Sequence, residues 1–324
     1  MRDFDNKQNR FEQRYTVFSR VEWDKDCSVY GKAIVAQQGR PAEDQRAAYE
    51  NTLNQARHRG SRQVYSHLCA MKTDSQEEPA TRARRREIIS GRGTDTITQD
   101  IKAAARLYGA SLVGITQSTE SWFYSHDTAG EPVTTPQSLP WAVVIGVAMD
   151  PGELRKSPDI AASAESSVGY AKMAFAAASL AGFIDSLGHT ALAANNDTAL
   201  SIPLAVDAGL GHLGRNGLLL TEEYGACVRL CKVFTDLPLV VDRPPASPLH
   251  ERCETCRRCA AACPAGAISV SSEPTGVAPG LSNRVAPLRH LVDPEKCYAF
   301  WTENGTSCSS CIGVCPQTSI SEST

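Results

Sequence analysis

The sequence predicts a layered α/β (α+β) core followed by a small cysteine-rich domain. Helical patterns alternate with short apolar runs between residues 96 and 248, which is typical of a sheet covered by helices. Eight of the 12 cysteines lie beyond residue 250, after a proline-rich stretch that marks a domain boundary. We therefore expect three regions: an N-terminal extension that packs on the core (1–95), the core itself (96–248) and the cysteine-rich domain (249–324).

Each core element is indicated by its own pattern of apolar residues. Ile101, Ala104 and Leu107 recur at helical spacing, whereas short continuous apolar runs predict buried strands. The first 95 residues are polar and weakly periodic, and residues 73–87 are interpreted as a flexible or surface connection. The predicted core elements are, in order, a helix that stops at Gly109, strands over 111–116 and 142–148, a long alanine-rich helix over 161–187, and a short strand over 191–194.

Charge and hydropathy narrow the class of protein. Lys and Arg number 33 against 36 Asp and Glu, so no strong positive field indicates nucleic-acid binding. The longest apolar run, residues 141–149, is about half of a membrane span, and no apolar stretch follows the N-terminal charges. We expect a cytoplasmic protein, exported only if a twin-arginine signal has been removed. The basic run at residues 82–86 lies too far into the chain for such a signal and is interpreted as a solvated linker.

The C-terminal cysteines form two runs with the spacing of iron–sulfur ligands. In such runs the x2 spacings direct successive thiolates at one 4Fe–4S cluster, and the cysteine before the proline ligates the other cluster. The sequence therefore predicts a ferredoxin-like domain with two 4Fe–4S clusters and crossed ligation. The runs are Cys253-x2-Cys256-x2-Cys259-x3-Cys263-Pro264 and Cys297-x10-Cys308-x2-Cys311-x3-Cys315-Pro316. The expected ligands are Cys253, Cys256, Cys259 and Cys315 for the first cluster, and Cys263, Cys297, Cys308 and Cys311 for the second.

Two other uses of these cysteines agree less well with the spacing. A disulfide framework needs an oxidising compartment, which no secretion signal indicates, and paired zinc sites do not account for the third spaced cysteine followed by Cys-Pro. The remaining cysteines, Cys27, Cys69, Cys227 and Cys231, show no ligand pattern and are predicted to be buried structural thiols. The last two would share a face if their segment were helical, but its β-branched and aromatic residues argue against a helix.

Residues 209–214 match the pattern G-x-G-x-x-G, and Asp236 lies at about the distance of a ribose-binding acid. A dinucleotide site requires a strand immediately before the first glycine. Residues 202–208 instead predict a helix that begins with Pro203 and is closed by glycine. We therefore expect a glycine loop that lets another flat or bulky group approach the backbone, rather than a nucleotide site.

Several segments resemble the corrinoid-binding core of reductive dehalogenases. The resemblance covers most of the chain, and both cysteine runs occupy the place expected in that family. It implies a nitroreductase-like core that binds cobalamin, joined to the two-cluster domain, in an enzyme that removes halide from an organohalide. The segments are residues 196–203 (NDTALSIP), 208–211 (AGLG), 213–217 (LGRNG), 229–238 (RLCKVFTDLP) and 101–115, with a weaker match at 18–24.

The same resemblance implies the site residues. Tyr170 matches the proton donor of the family, Asn196 its amide partner, and Arg229 or Lys232 its cationic partner. A cation beside a phenol stabilises the phenolate and makes the phenol a better acid near neutral pH. Judged alone, Tyr170 would be a core tyrosine, and Arg229 could form an ordinary ion pair with Asp236. The implied cobalamin contacts are Ser201, Gly211, Gly214, Arg215, Asn216 and Trp301.

The aromatic pair Phe300 and Trp301 lies between two cluster ligands and is expected either to wall the pocket beside the cobalt or to pack around the cluster. Cobalamin is expected with its lower base detached, because the chain contains no D-x-H-x-x-G sequence. His212 stands where the family frequently has an acidic residue, which bears only on local loop contacts.

The implied electron route runs from an external donor, such as a ferredoxin, a flavodoxin or a membrane-linked protein, through the outer and inner clusters to the cobalt. The expected substrate is a small molecule and not a nucleic acid, and a homodimer is one expected assembly. Two other functions remain open. One is an epoxyqueuosine reductase-like enzyme that modifies tRNA, and the other is a non-catalytic ferredoxin-like electron carrier.

Overall fold

A four-stranded sheet with helices on both faces forms the centre of the computed structural model. The structure describes residues 10–32, 45–70, 78–134, 137–243, 249–277, 280–284 and 288–319. The α-helices are α1 (Val17–Trp23), α2 (Gln45–Ala70), α3 (Pro79–Ser90), α4 (Thr94–Leu107), α5 (Pro151–Arg155), α6 (Ile160–Ser186), α7 (Ser201–Asp207), α8 (Leu249–Thr255), α9 (Arg258–Ala261), α10 (Pro294–Asn304) and α11 (Ser310–Gly313). The strands are β1 (Leu112–Gln117), β2 (Trp141–Ala148), β3 (Ala191–Ala194), β4 (His212–Leu213), β5 (Leu219–Leu220) and β6 (Val228–Thr235).

The central sheet has the order β1-β2-β6-β3, and each neighbouring pair is antiparallel. β2 and β6 pair along their whole length, from Trp141 opposite Thr235 to Ala148 opposite Val228. Helices α4 and α6 pack on one face of the sheet, and α7 packs on the other. Because both faces are covered, the central strands are buried on both sides. β2 is accordingly a continuous apolar run in the sequence, whereas β6 also carries Arg229 and Lys232.

The predicted core elements are present, with strand and long-helix boundaries within one residue of those expected from the sequence. Two glycines explain why the ends of α4 and α6 could be predicted from the sequence. Gly109 follows α4 with a φ of 94°, and Gly188 follows α6 with a φ of 91°. Glycine adopts this left-handed conformation without the steric cost that a Cβ brings, so it ends a helix at low cost.

Helix α6 is 27 residues long and runs through the interior of the core. By length and composition it is the one helix of the described chain that is apolar enough to cross a membrane. Its Met173, Leu180 and Ile184 are fully buried against the sheet. Packing in the core therefore explains its apolar composition.

The basic run of residues 82–86 lies in α3 and anchors this helix to the core. Arg82 pairs with Asp185 near the end of α6, with 2.8 Å between nitrogen and oxygen. Arg86 pairs with Asp236 and also donates to the carbonyl oxygen of Gly188 at 2.7 Å. The interpretation of residues 82–86 as a solvated linker is therefore wrong. Most of residues 78–87 lie at the surface, but in a docked helix, and residues 73–77 lie outside the described residues.

Three of the four cysteines outside the two runs are buried, as predicted: Cys27, Cys227 and Cys231. The latter two lie immediately before and within β6, so the helical alternative is excluded. Cys69 differs, because it is exposed at the end of α2 and accepts a hydrogen bond from the Asn195 side chain at 3.2 Å. Its position follows from the packing of α2 along α6, which the weak periodicity of the N-terminal region did not indicate.

Candidate functional site

The first group of cysteines combines three residues of the first run with one residue of the second. Burial, followed by the charges of Cys253, Cys256 and Cys315, raises the pKa of the Cys259 thiol to about 11. The pKa of Cys253 is raised by burial and by Cys315 and Cys256. These four thiols therefore lie around one place in the C-terminal domain.

The second group combines three residues of the second run with the cysteine that ends the first run. Burial, followed by the charges of Cys308 and Cys263, raises the pKa of the Cys297 thiol to about 12. The pKa of Cys311 is raised by burial and by the charges of several cysteines, first among them Cys297 and Cys308. The two groups agree with the crossed ligand sets expected from the spacing.

The chemistry of both groups fits an iron–sulfur cluster. In each group, burial and the neighbouring cysteines raise the pKa of two thiols: Cys253 and Cys259 in the first, and Cys297 and Cys311 in the second. Ionised thiols at this spacing repel one another, and bound iron supplies the positive charge that stabilises the thiolates. Among the described residues, no three His, Cys, Asp or Glu side chains converge tightly enough to hold a single metal ion.

Tyr170, Asn196 and Arg229 come together at the edge of the core. The side-chain amide of Asn196 donates to the Tyr170 hydroxyl oxygen at 3.2 Å. The guanidinium carbon of Arg229 lies 4.4 Å from the centroid of the Tyr170 ring, and the Nε atom of Arg229 is buried without a hydrogen-bond partner in the described chain. The alternative pairing of Arg229 with Asp236 is wrong, because Asp236 binds Arg86 and His189.

Sequence reasoning missed one aromatic neighbour of this site. The ring of Tyr65 on α2 lies edge-on to the Tyr170 ring, with 5.3 Å between the centroids. Tyr65 also interacts with the Cys69 thiol, which accepts a hydrogen bond from Asn195. The only signal in the sequence is an aromatic residue in a polar helix, which by itself does not indicate a site.

Lys232 holds the loop that carries Asn196. Its ammonium group donates to the carbonyl oxygens of Asn195, Asp197 and Ala199 at 2.5, 3.0 and 2.7 Å. The side chain is fully buried, and burial lowers its pKa from 10.5 to about 8. Lys232 therefore positions the loop and does not contact Tyr170, which leaves Arg229 as the cation at the tyrosine.

The loop over residues 195–199 is fixed from other directions as well. Thr198 has a φ of 67°, a conformation that costs energy in a residue with a branched side chain. Its carbonyl oxygen accepts from the Tyr124 amide at 3.0 Å, and the Leu200 amide donates to the carbonyl oxygen of Trp122 at 2.8 Å. These hydrogen bonds fix the conformation of the loop and hold Asn196 beside Tyr170.

The second cysteine group is connected to the tyrosine by packed residues. Cys311 packs against a buried group that includes Met149 and Cys227. Met149 in turn closes on Gly169, since a Cβ at Gly169 would lie 3.0 Å from Met149 Cγ and 2.9 Å from Arg229 Cγ. A short path of contacts therefore leads from Cys311 to Tyr170.

The glycine loop after α7 packs against the protein itself. Gly209 follows the helix with a φ of 74°, which confirms the helical context and excludes the dinucleotide fingerprint. A Cβ at Gly211 would lie 2.2 Å from the carbonyl oxygen of Leu220, and one at Gly214 would lie 3.2 Å from that of Leu218. The glycines thus allow the β4–β5 hairpin to close. At Gly211 and Gly214 the backbone therefore packs against the hairpin itself and not against the other group that the sequence had led us to expect.

Arg215 has a structural role instead of the expected corrinoid contact. It is 2% exposed, and its guanidinium donates to the carbonyl oxygens of Cys256, Ser269, Ser271 and Glu254. Its backbone amide donates to the Cys253 sulfur at 3.3 Å. The side chain is almost wholly buried among these carbonyl oxygens, and it ties the core to the first cysteine group.

Three of the expected corrinoid contacts keep accessible or unsatisfied polar atoms. Ser201 is partly buried and accepts from Lys232 at 3.1 Å, and Asn216 is partly buried with its amide oxygen bound to the Leu218 amide. The indole nitrogen of Trp301 is buried without a partner in the described chain, and its ring lies 5.6 Å from that of Phe18. These three residues fit a bound polar group, whereas Gly211, Gly214 and Arg215 do not.

Comparison with known proteins finds a domain family and two kinds of enzyme to which the chain is similar. Residues 252–319 match the family model described as 4Fe-4S dicluster domain. A tetrachloroethene reductive dehalogenase of Desulfitobacterium hafniense is 36% identical over 259 residues, covering 66% of this chain and 47% of that protein. An epoxyqueuosine reductase of Cyclobacterium marinum is 32% identical over 128 residues, covering 35% of this chain and 34% of that protein. The chain spans about half the length of the curated dehalogenase.

A solved structure shows the same fold. A tagged variant of a catabolic reductive dehalogenase superposes with a TM-score of 0.68 at 22% sequence identity, covering 91% of this chain and 41% of that chain. The likeness confirms the predicted fold class, and the match over residues 252–319 confirms the C-terminal two-cluster domain.

Proposed function

We propose, from the premise that the chain is a homologue of the reductive dehalogenases, that it catalyses the cobalamin-dependent reductive removal of halide from a small organohalide. The observation that carries this proposal is the contact of both Asn196 and Arg229 with Tyr170 in a core joined to a two-cluster domain. Replacement of a carbon–halogen bond by a carbon–hydrogen bond consumes two electrons and one proton and releases halide. The chain offers groups for both requirements.

Tyr170 supplies the proton in this proposal. Its hydroxyl oxygen accepts from Asn196, and no described residue accepts its proton, so the proton can be directed at a substrate. As the proton leaves, the Asn196 amide remains bonded to the phenolate oxygen, and the positive charge of Arg229 stabilises the anion. Arg229 also provides a favourable charge for the departing halide.

Cobalamin, when bound, supplies the reduced cobalt that receives electrons from the clusters and activates the carbon–halogen bond. Ser201, Asn216 and Trp301 would hold it. Ser201 and Asn216 present polar side chains in the segments after residues 195–199 and 211–214, and the Trp301 indole lacks a partner in the described chain. A bound acceptor would satisfy that buried N–H group, which is otherwise costly.

The two clusters carry electrons from an external donor. We assign the second cluster to the inner position, because Cys311 packs in the buried group that leads through Met149 to Gly169. The first cluster would then receive electrons from the donor. The crossed ligands Cys263 and Cys315 join the two cluster sites within one small domain.

A second candidate function is reduction of a modified tRNA, favoured by the similarity to epoxyqueuosine reductase over 128 residues. The chain has a formal net charge of -3, which gives no general attraction to RNA. A mobility-shift titration with tRNA separates the two functions. A protein that binds neither tRNA nor a corrinoid would instead be an electron carrier.

Anaerobic reconstitution with iron, sulfide and cobalamin tests the proposal. Halide release is then measured from a panel of chlorinated and brominated alkenes and aromatics with a strong chemical reductant. We expect halide release that requires both cobalamin and the clusters. A reconstituted protein that retains both cofactors and releases no halide from the panel would contradict the proposal.

A further inference from the structure

Two arginines beside the core lie close together without a carboxylate partner in the described chain. The Arg289 guanidinium donates to the carbonyl oxygen of Arg284 at 3.2 Å. The Nε atom of Arg284 is buried and has no hydrogen-bond partner among the described residues. Both side chains are partly buried, so water solvates them only in part.

The electrostatics of this pair are unfavourable without an anion. Burial lowers the pKa of Arg284, and the positive charge of Arg289 lowers it further. Burial alone lowers the pKa of Arg289. Arginine nevertheless stays protonated in proteins, so two like charges remain in a poorly solvated place. An anion placed between them would offset this cost.

An aromatic ring supports the pair from one side. The guanidinium carbon of Arg284 lies 5.0 Å from the centroid of the Trp122 ring. The Trp122 indole donates to the Asp207 carboxylate at 2.7 Å, which fixes the ring. Burial raises the pKa of Asp207 and only this indole bond opposes the rise, so Asp207 is not the counterion of Arg284.

Contacts link the segment that carries Arg284 to both loops, the one with Ser201 and the one with Asn216. On one side, the Leu200 amide donates to the carbonyl oxygen of Trp122 at 2.8 Å. On the other side, Asn283 donates to the carbonyl oxygen of Val292 at 2.9 Å, and Val292 packs against Gly217. A ligand that reaches both loops would therefore pass close to the arginines.

We propose that Arg284 and Arg289 bind a phosphate group. Guanidinium groups bind phosphate oxygens through charge-assisted hydrogen bonds, and a pair of them matches a phosphodiester or a free phosphate. The phosphodiester in the nucleotide tail of cobalamin has this chemistry, and this source rests on the proposed function. Inorganic phosphate is the other source.

The test compares corrinoids with and without the phosphate. The reconstituted protein is titrated with cobalamin and with cobinamide, which lacks the nucleotide tail, and binding is followed by the corrinoid absorbance spectrum. Inorganic phosphate is titrated by calorimetry against chloride at equal ionic strength. The variants are Arg284→Gln and Arg289→Gln, and the matched control is Arg106→Gln, whose side chain is exposed on α4.

We expect the wild type to bind cobalamin at least about tenfold more tightly than cobinamide, and both variants to lose this preference while binding cobinamide unchanged. Phosphate binding that depends on Arg284 without any preference for cobalamin would assign the site to free phosphate. If neither corrinoid binds the wild type, the proposed function fails. The phosphate titration then still shows whether Arg284 and Arg289 bind an anion. Variants that match the wild type and Arg106→Gln in every titration would overturn the inference.

Discussion

Arg229 and Lys232 are three residues apart on β6 and serve opposite faces of the sheet. The Arg229 guanidinium lies over the Tyr170 ring, 4.4 Å from its centroid, whereas the Lys232 ammonium binds loop carbonyl oxygens. Successive side chains of a strand point to opposite faces, so residues an odd number apart cannot share one. Only Arg229 can therefore act as the cation beside the phenol.

Arg229→Gln removes that cation and keeps a polar side chain of similar size. We expect kcat for halide release to fall by about 10-fold to 100-fold, because the phenolate and the halide both lose their stabilising charge. Arg229→Lys should recover part of the loss. The measurement is halide release by the reconstituted variants, and wild-type kcat in Arg229→Gln would remove Arg229 from the proposed chemistry.

We expect Lys232→Met to lower the stability of the folded protein. The change leaves three loop carbonyl oxygens without their donor, and we expect the free energy of unfolding to fall by about 3 kcal/mol. The control is Lys172→Met, whose lysine is exposed on α6. Urea unfolding measures both variants, and equal stabilities would show that Lys232 does not hold the loop.

The buried ammonium also predicts a pH dependence. Burial lowers the pKa of Lys232 to about 8 in the folded protein, from 10.5 ordinarily. Between these values the unfolded chain holds more protons on this group than the folded chain, so this group makes the free energy of unfolding rise with pH. The difference between wild type and Lys232→Met should therefore grow by about 2 kcal/mol from about pH 8 to about pH 10. A constant difference would place the pKa of Lys232 near its ordinary value.

Crossed ligation predicts which cysteine pairs act on the same cluster. Cys315→Ala should reduce bound iron from about eight to about four atoms per chain, because one cluster is lost. Adding Cys253→Ala should remove no more iron, whereas adding Cys311→Ala should remove nearly all of it. Cys69→Ala is the control and should keep full iron content. Iron loss that follows the order of the runs rather than the crossed sets would contradict the ligand assignment.

Most of the core could be predicted because its signals are local. Glycines at the ends of α4 and α6 and continuous apolar strands are visible in the sequence itself. The two-cluster domain could be predicted for the same reason, because the spacing of its cysteines is a local signal. The helical context of Pro203 was also sufficient to reject the dinucleotide fingerprint at residues 209–214.

The errors concern residues whose roles depend on distant partners. Arg215 matched a motif, but its bonds to carbonyl oxygens of the cluster domain join segments about 40 to 56 positions apart. The arginines of α3 find Asp185 and Asp236 only once α3 packs on α6. The choice between Arg229 and Lys232 required knowledge that their segment is a strand.

Tyr170→Phe tests the central claim most directly, with Tyr108→Phe as the control. The Tyr170 hydroxyl bonds only to Asn196 among the described residues, and Tyr108 packs against Phe183 away from that bond, so both variants should fold and retain cofactors. We predict that Tyr170→Phe lowers the rate of halide release by about 100-fold or more while Tyr108→Phe keeps the wild-type rate. Halide release by Tyr170→Phe at the wild-type rate would contradict the account.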